Sequence, residues 1–579
     1  MNSFHILNLL FLKLNKRQKR YTYFAVLIMI ISGLFEIFYI ASFLPFISLI
    51  TNSESFFNNN ILNNFALIIG FGKDELLLFY TSLFVLTVLL STAISIFNIY
   101  FTGRVCAKIG TEISTECYKR TIYQDYSFHI KNDKNEMTQN SSFRIARTIA
   151  TLNLILQTIS SSIICFFIIL SLLVISGRIS LILALIYSLI YYLIKLLVSS
   201  RQFSNGKIIN KLNTKQLKKI LESLNSIKEI LVNNNQYKYI EAYADRDRKL
   251  RSREAEVKFI TLSPKFILQG LGVISISITA FILTSNDKST GIDVIPILGT
   301  IALGTQRLLP AFQSIFKSWA GIKSNLTHVK GLIDALNLHL SNFEIQKDIR
   351  GFNFTDKIEF SDVCFKHEKD SSYIIKNLDL VIHKGEKIGL IGKTGSGKST
   401  LTDLLMGLLK PTSGSIKIDG KSIFDSKEPS RLLAWRRNIS HLPQDIFLFD
   451  DSIKANIISS SNFKQADNEL IKEVCEVAQI KDLLVNLPKG LDTIVGDNGI
   501  RLSGGQKQRI GIARALYKKH NLLIFDEGTS ALDNLTESKV IESIYKFNKN
   551  ITIIIIAHRL SSINKCNRII ELEDGKIKT

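Results

Sequence analysis

Two stretches of this 579-residue chain, residues 76–102 and 148–177, contain no Asp, Glu, Lys or Arg at all. A helix crossing a hydrocarbon layer needs about 20 mostly apolar residues, because lipid offers its backbone no hydrogen-bond partners. Four further runs reach that length with a few charged interruptions, near 21–50, 179–199, 258–285 and 293–320. Nothing comparable comes after them. The whole-chain figures of 46% hydrophobic and 21% charged residues are ordinary for a globular protein and conceal this split. A wholly soluble chain, a disordered chain and a small disulfide scaffold are therefore excluded.

The segments between the apolar runs set an orientation. Residues 103–147 and 200–257 are long and net basic, whereas 51–75 is Asn-rich with only Lys73 against Glu54, Asp74 and Glu75. Basic loops stay on the cytoplasmic side. Six spans then leave both termini in the cytoplasm, with 21–325 as the transmembrane domain. Residues 1–20 combine a short apolar stretch with Lys13, Lys16, Arg17, Lys19 and Arg20, the pattern of an interfacial elbow helix. The long cytoplasmic segments lack proline and read as helical extensions of the spans. Within them Tyr123–His129 and Glu222–Leu231 are short amphipathic pieces suited to transmitting motion, or ordinary surface turns.

The formal net charge is +22. Its excess beside the spans reads as topology signal and contact with anionic membrane lipid, so no nucleic-acid partner is expected. The six cysteines form no C-x-x-C pair, which suggests neither a zinc nor a redox site and fits a reducing cytoplasmic face. The first apolar run is too long for a cleavable signal.

Residues 326–355 read as a linker. From about 356 short β-rich runs such as Lys387–Ile391, Leu522–Phe525 and Ile551–Ile556 alternate with helical stretches, the pattern of an α/β domain with a largely parallel sheet. Gly392, Lys393, Thr394, Gly395, Ser396, Gly397, Lys398 and Ser399 match G-x-x-x-x-G-K-[ST] between a strand and the helix opening at Thr400. Glycines let backbone N–H groups turn onto phosphates, and the helix N-terminus adds its dipole. Lys398 is placed for the β- and γ-phosphates of ATP and Ser399 for Mg²⁺. Asp526 and Glu527 end an apolar strand. Two adjacent carboxylates there are costly without a cation, so Asp526 is a Mg²⁺ ligand and Glu527 the base that polarises the attacking water.

Leu502-Ser503-Gly504-Gly505-Gln506 is the signature of ATP-binding-cassette ATPases, and the chain resembles that family across residues 356–579. Gln444 resembles the glutamine loop, Ser530–Asp533 the D-loop, His558 the switch histidine and Thr493–Gly499 the loop before the signature of exporters. With six spans ahead of it, the chain resembles a half-exporter: a membrane α-helical ABC exporter fold followed by an α/β P-loop nucleotide-binding domain. The resemblance implies a composite site, with Ser503 to Gln506 of one copy serving the γ-phosphate on the other, hence a dimer, most simply a homodimer. It further implies that His558 contacts the γ-phosphate, Asp533 couples the two sites and Gln444 senses Mg²⁺ and water. Three positions depart from the family pattern. His367 stands where an adenine-stacking tyrosine is usual, with Phe365 and Tyr373 as rivals. Gly528 replaces alanine, and Asp497 replaces glutamate.

Glu36, Lys265 and Arg307 are ionisable residues inside the spans. Each needs a cavity or a partner there. Lys265 either snorkels to the interface or faces the cavity. Arg307 either binds an anionic head group or pairs with Glu36. The stretch from Glu36 to Leu49, Arg307–Pro310 and the apolar-Asn segment Phe56–Ile69 are similar to bacterial flippases of lipid-linked oligosaccharides used in protein N-glycosylation. That similarity implies an ATP-driven flippase of a lipid-linked glycan or another anionic amphiphile in the bacterial inner membrane. Ser91 and Ser314 stand where further arginines would be expected in that family. The alternatives are a drug, lipid or peptide exporter and a membrane-anchored regulatory ATPase.

Overall fold

The computed structural model describes residues 3–51, 73–132, 137, 143–285, 291–340, 354–368, 371–425, 428, 430–459, 466–526, 532–557 and 563–578. The external segment Phe56–Ile69 lies outside them. The chain divides into two compact units, one of Met1–Ile122 with Asn132–His339 and the other of Tyr123–Lys131 with Leu340–Thr579.

The first unit is helical. It contains α1 (Ser3–Leu12), α2 (Lys16–Ile50), α3 (Lys73–Ile122), α5 (Phe143–Ser176), α6 (Arg178–Asn225), the short α7 (Ile227–Val232), α8 (Gln236–Ser285) and α9 (Gly291–Leu336), while α4 (Tyr126–Lys131) belongs to the second unit. Five of these helices are long and apolar enough, among the described residues, to cross a membrane: α2, α3, α5, α8 and α9. The remaining expected span, 179–199, lies on the 48-residue α6.

The N-terminal boundary differs from the expected single helix over 1–20. The first helix stops at Leu12, and Lys16–Arg20 form the opening of α2. The break is fixed at Asn15, whose N–H donates to Gln18 Oε1 at 2.7 Å, while Gln18 Nε2 donates to Glu112 Oε2 at 2.7 Å. The linker also begins later than residue 326. Leu326, Val329 and Ile333 are buried with Ile6 and Leu10 of α1, and that packing carries α9 on to Leu336.

Lipid is as apolar as a leucine side chain, so helices in it associate through close fit rather than through exclusion of water. Helix α5 packs against α2, α3 and α9. Gly33 of α2 lies against Phe167 and Gly304 of α9 against Leu172, both on α5, where any Cβ would collide. Helices α6 and α9 approach backbone to backbone at Gly206, where a Cβ would stand 2.5 Å from the Ser324 carbonyl oxygen.

The second unit has two sheets. The strands are β1 (Lys357–Phe365), β2 (Ile375–His383), β3 (Lys387–Ile391), β4 (Ser413–Ile418), β5 (Lys421–Ser422), β6 (Ile439–Leu442), β7 (Leu522–Asp526), β8 (Thr552–Ile556), β9 (Arg568–Glu573) and β10 (Lys576–Ile577). One sheet has the order β10-β9-β3-β8-β7-β6, parallel except for β10. Strands β7 and β8 read Leu-Leu-Ile-Phe-Asp and Thr-Ile-Ile-Ile-Ile and are buried on both faces, as central parallel strands must be. The other sheet, β2-β1-β4-β5, is antiparallel. The run of β-rich segments predicts only the largely parallel sheet; in this second sheet β1 carries register shifts against both β2 and β4. The helices of this unit are α4, α10 (Lys398–Leu405), α11 (Ser430–Arg436), α12 (Ile453–Ile458), α13 (Asn468–Val477), α14 (Lys481–Val485), α15 (Gly504–Tyr517) and α16 (Asn534–Phe547).

Substituting Gly206→Val should lower the thermal unfolding midpoint of the purified chain, because the α6–α9 approach must open. The expected cost is about 1–3 kcal/mol, as for overpacked cores. A midpoint equal to wild type would show that this approach is not tight.

Candidate nucleotide site

Register places the catalytic motifs together. Leu390 of β3 and Asp526 of β7 both pair with Ile556 of β8, and Phe525 of β7 pairs with Leu442 of β6. Four adjacent parallel strands therefore end at one edge, where ligands of open α/β sheets collect. The glycine loop leaves β3, Asp526 closes β7 and Gln444 comes two residues after β6. Glu527 and His558, just beyond the ends of β7 and β8, lie outside the described residues, as do 528–531.

The loop between β3 and α10 is shaped by glycine. Gly395 and Gly397 adopt φ of +83° and +104°, a region that side chains rarely enter. A Cβ on Gly392 would strike the Leu572 carbonyl, and one on Gly397 would crowd Ile375. Lys398 is buried, and its ammonium donates to the carbonyls of Gly392 at 2.7 Å and Lys393 at 3.0 Å. Ser396 is buried with its hydroxyl unpartnered. An orphan hydroxyl, a side-chain-free cradle, a buried ammonium and a helix N-terminus form a donor set that fits the phosphates of ATP. Lys393 is exposed and reaches Glu573 at 3.9 Å, so it points away from this cradle. Thr394 is exposed on the loop, and Ser399 and Thr400 open the first turn of α10.

A further carboxylate faces Asp526. Asp403 lies on α10 one turn beyond Ser399, and burial first, then the Asp526 charge, push its carboxyl up to about 6. A buried carboxyl raised by the charge of a neighbouring carboxylate fits a site completed by a divalent cation. Asp403 was not singled out from the sequence. Its signal is the lone acid in the helix that follows the phosphate loop.

The signature caps α15. Ser503 Oγ accepts from the Gln506 N–H at 3.3 Å, while Gln506 Oε1 accepts from the Ser503 N–H at 2.8 Å. This reciprocal box fixes the turn through Gly504 and Gly505 at the helix start, where the dipole favours an anion. The segment after Gln444 is anchored by two residues that sequence alone did not point to. Asn456, fully buried, donates to the Phe449 carbonyl and accepts from its N–H, both at 2.9 Å. Arg514 of α15 donates to the carbonyls of Phe447 and Asn456, each at 2.8 Å, tying this segment to the signature helix.

Asp533 is the N-cap of α16. It accepts from the Thr536 N–H at 3.0 Å, and that bond with the Thr536 hydroxyl holds its carboxyl below the usual range. Of the candidates for adenine stacking, Phe365 is corrected. It is buried in the core of this unit, so its faces are taken. His367 meets it edge-on at 5.1 Å and lines a cavity of about 440 Å³ with Asp125, Ser127, Lys410 and Arg436. Tyr373 is exposed, with the Lys366 ammonium 5.1 Å from its ring centre. At the end of α4, Lys131 reaches Glu368 at 3.4 Å.

In the helical unit Glu36 and Arg307 meet. Arg307 Nη1 stands 3.8 Å from Glu36 Oε1, and its guanidinium lies 4.4 Å from the Tyr39 ring centre. Ser91 donates to the same Glu36 oxygen at 3.1 Å. Ser314 is occupied by an interhelical bond with Ser161 at 2.9 Å. Lys265 lies exposed on α8, its ammonium 6.0 Å from the Phe266 ring centre.

Comparison with known proteins agrees with this geometry. Residues 375–530 match the family model of the ABC transporter and residues 18–303 that of the ABC transporter transmembrane region. An export ATP-binding/permease protein of Rickettsia typhi is 30% identical over 537 residues, 88% of this chain and 88% of that one. An ATP-dependent lipid A-core flippase of Ralstonia nicotianae is 41% identical over 221 residues, 38% of this chain and 37% of that protein. The chain thus spans only 37% to 51% of some curated relatives that it matches. A solved bacterial Atm1-family ABC exporter with ATP bound superposes with a TM-score of 0.76 at 22% identity, covering 97% of this chain and 94% of that one. At that identity the likeness concerns the fold.

A carboxyl with a raised folded pKa costs stability once it ionises. For Asp403 this cost is absent below its ordinary value of 3.8 and complete above about 6. Asp403→Asn, free of nucleotide and magnesium, should therefore gain up to about 1–3 kcal/mol as pH rises through that window. Thermal unfolding at both ends of the window checks it, and a gain equal at both would refute the assignment.

Proposed function

The chain belongs to the ABC transporter family, and on that premise we propose that it is an ATP-driven exporter that flips an anionic amphiphile, most specifically a lipid-linked oligosaccharide. The observation that carries the engine is the convergence of the glycine loop, Asp526 and Gln444 on one edge of the parallel sheet. Lys398 reaches the β- and γ-phosphates, with loop N–H groups and Ser396 around them. Ser399, Asp526 and Gln444 would hold Mg²⁺, which when bound would supply positive charge beside the transferring phosphoryl group. Glu527 orients and deprotonates the attacking water, and His558 steadies the γ-phosphate. Ser503, Gly504, Gly505 and Gln506 of one copy close over the nucleotide held by a second, so the working unit is a homodimer. His367 lies against the adenine.

Closure on ATP and release after hydrolysis drive the membrane domain, 21–325, between inward- and outward-facing states. Tyr123–Lys131 supports the link, because this piece of the cytoplasmic extension folds with the nucleotide-binding unit. Basic cytoplasmic loops favour a bacterial plasma membrane with both termini inside. Support for the substrate class is the Arg307 guanidinium, only partly covered inside an apolar helix bundle, together with flippases among the relatives.

The test is ATP hydrolysis by the reconstituted chain, with and without polyprenyl-pyrophosphate oligosaccharide. Wild type should be stimulated, and Arg307→Ala should lose the stimulation while keeping basal turnover. Glu527→Gln should lose about 10²–10⁴-fold in turnover, the contribution of a positioned base. Healthy basal turnover without lipid stimulation would retain the engine and reject the substrate, leaving a drug, lipid or peptide exporter.

A further inference from the structure

Glu36 is 4% exposed in the middle of an apolar helix, yet its ion pair is poorly closed. The 3.8 Å separation from Arg307 is beyond hydrogen-bond reach. A buried pair held for structure alone repays its desolvation only with close geometry and with every oxygen satisfied. Here Glu36 Oε2 is buried without a partner. So is the hydroxyl of Ser32, which lies one turn earlier on α2. The Ser91 hydroxyl already holds Oε1 at 3.1 Å. Arg307 keeps 39% of its side chain exposed and rests against the Tyr39 ring. The carboxylate thus faces a guanidinium at 3.8 Å and a hydroxyl at 3.1 Å, with the unpartnered Ser32 hydroxyl one helical turn away.

We propose that Glu36 is a tethered competitor for the anion site at Arg307, and so determines which head groups the exporter accepts. At rest the carboxylate faces Arg307 while Ser91 already holds one of its oxygens. An entering phosphate displaces it onto Ser91 and Ser32, whose hydroxyls stabilise it without a cation. A head group carrying more negative charge wins this exchange, and a singly charged or zwitterionic one does not. Specificity then comes from a repulsive element beside an attractive one. The inference rests on the reading of Arg307 as a head-group site.

The experiment uses the full chain in vesicles and compares polyprenyl pyrophosphate with polyprenyl monophosphate as stimulators of ATP hydrolysis. Glu36→Gln should lower the half-saturating monophosphate concentration about fivefold, which is about 1 kcal/mol. It should lower that of the pyrophosphate less, so the preference between the two narrows. The double variant Ser32→Ala with Ser91→Ala removes the alternative seat and should raise both half-saturating concentrations. A merely structural role would weaken lipid response in the same direction in all variants. An unchanged preference in Glu36→Gln, or equal signs in the two variants, overturns the competitor while Arg307→Ala still loses stimulation. A wild type unmoved by either lipid, or an Arg307→Ala protein stimulated like wild type, overturns the head-group reading itself.

Discussion

Hydrogen bonds between β3, β8, β7 and β6 run in parallel register, so these strands finish side by side. Residues separated by more than a hundred positions, such as Lys398 and Asp526, are brought to one edge by that pairing alone. The pairing is possible because β7 and β8 carry large apolar side chains on both faces and can be covered on both. The residues just past each strand are then free to be polar, since the sheet core has already stabilised the backbone that presents them. Glycines shape the loop after β3, a carboxylate closes β7, and a glutamine stands just beyond β6.

The helical half works under a different constraint. Water excluded from apolar faces cannot sort one lipid-bathed helix from another, so fit and buried polar contacts must do it. Gly33 and Gly304 let α2 and α9 close on α5, and Gly206 lets α6 touch the α9 backbone. Against that tight background the Glu36 cluster is loose. Polar groups there are neither fully paired nor exposed, which is the condition of groups that exchange partners.

Much of this organisation could be read from residues alone. Long apolar runs, two of them free of any charge, mark the spans, because a charge at their centres is costly. Lys387–Ile391 and Leu522–Phe525 were recognisable as strands from β-branched and apolar runs beside motifs. The break at Asn15 was not, because it depends on Gln18 reaching Glu112 across 94 positions. Likewise α9 continues to Leu336 for the sake of Ile6 and Leu10, a contact that local hydropathy cannot register. Asp403 and Asn456 escaped notice for a related reason. Neither residue type stands out in sequence, and each acquires its role only when a distant strand or helix is packed beside it. Phe365 could be told apart from His367 and Tyr373 only by burial, which separates ring faces that are taken from ring faces that are open.

Lys398 carries a consequence for the moment after turnover. A buried ammonium abandoned by departing phosphates would be an uncompensated charge in a confined space, and the loop would distort or admit water to hydrate it. Here the carbonyls of Gly392 and Lys393 receive it instead. The loop thus satisfies this cation with its own backbone carbonyls. A phosphate entering this loop would compete with those two carbonyls for one ammonium.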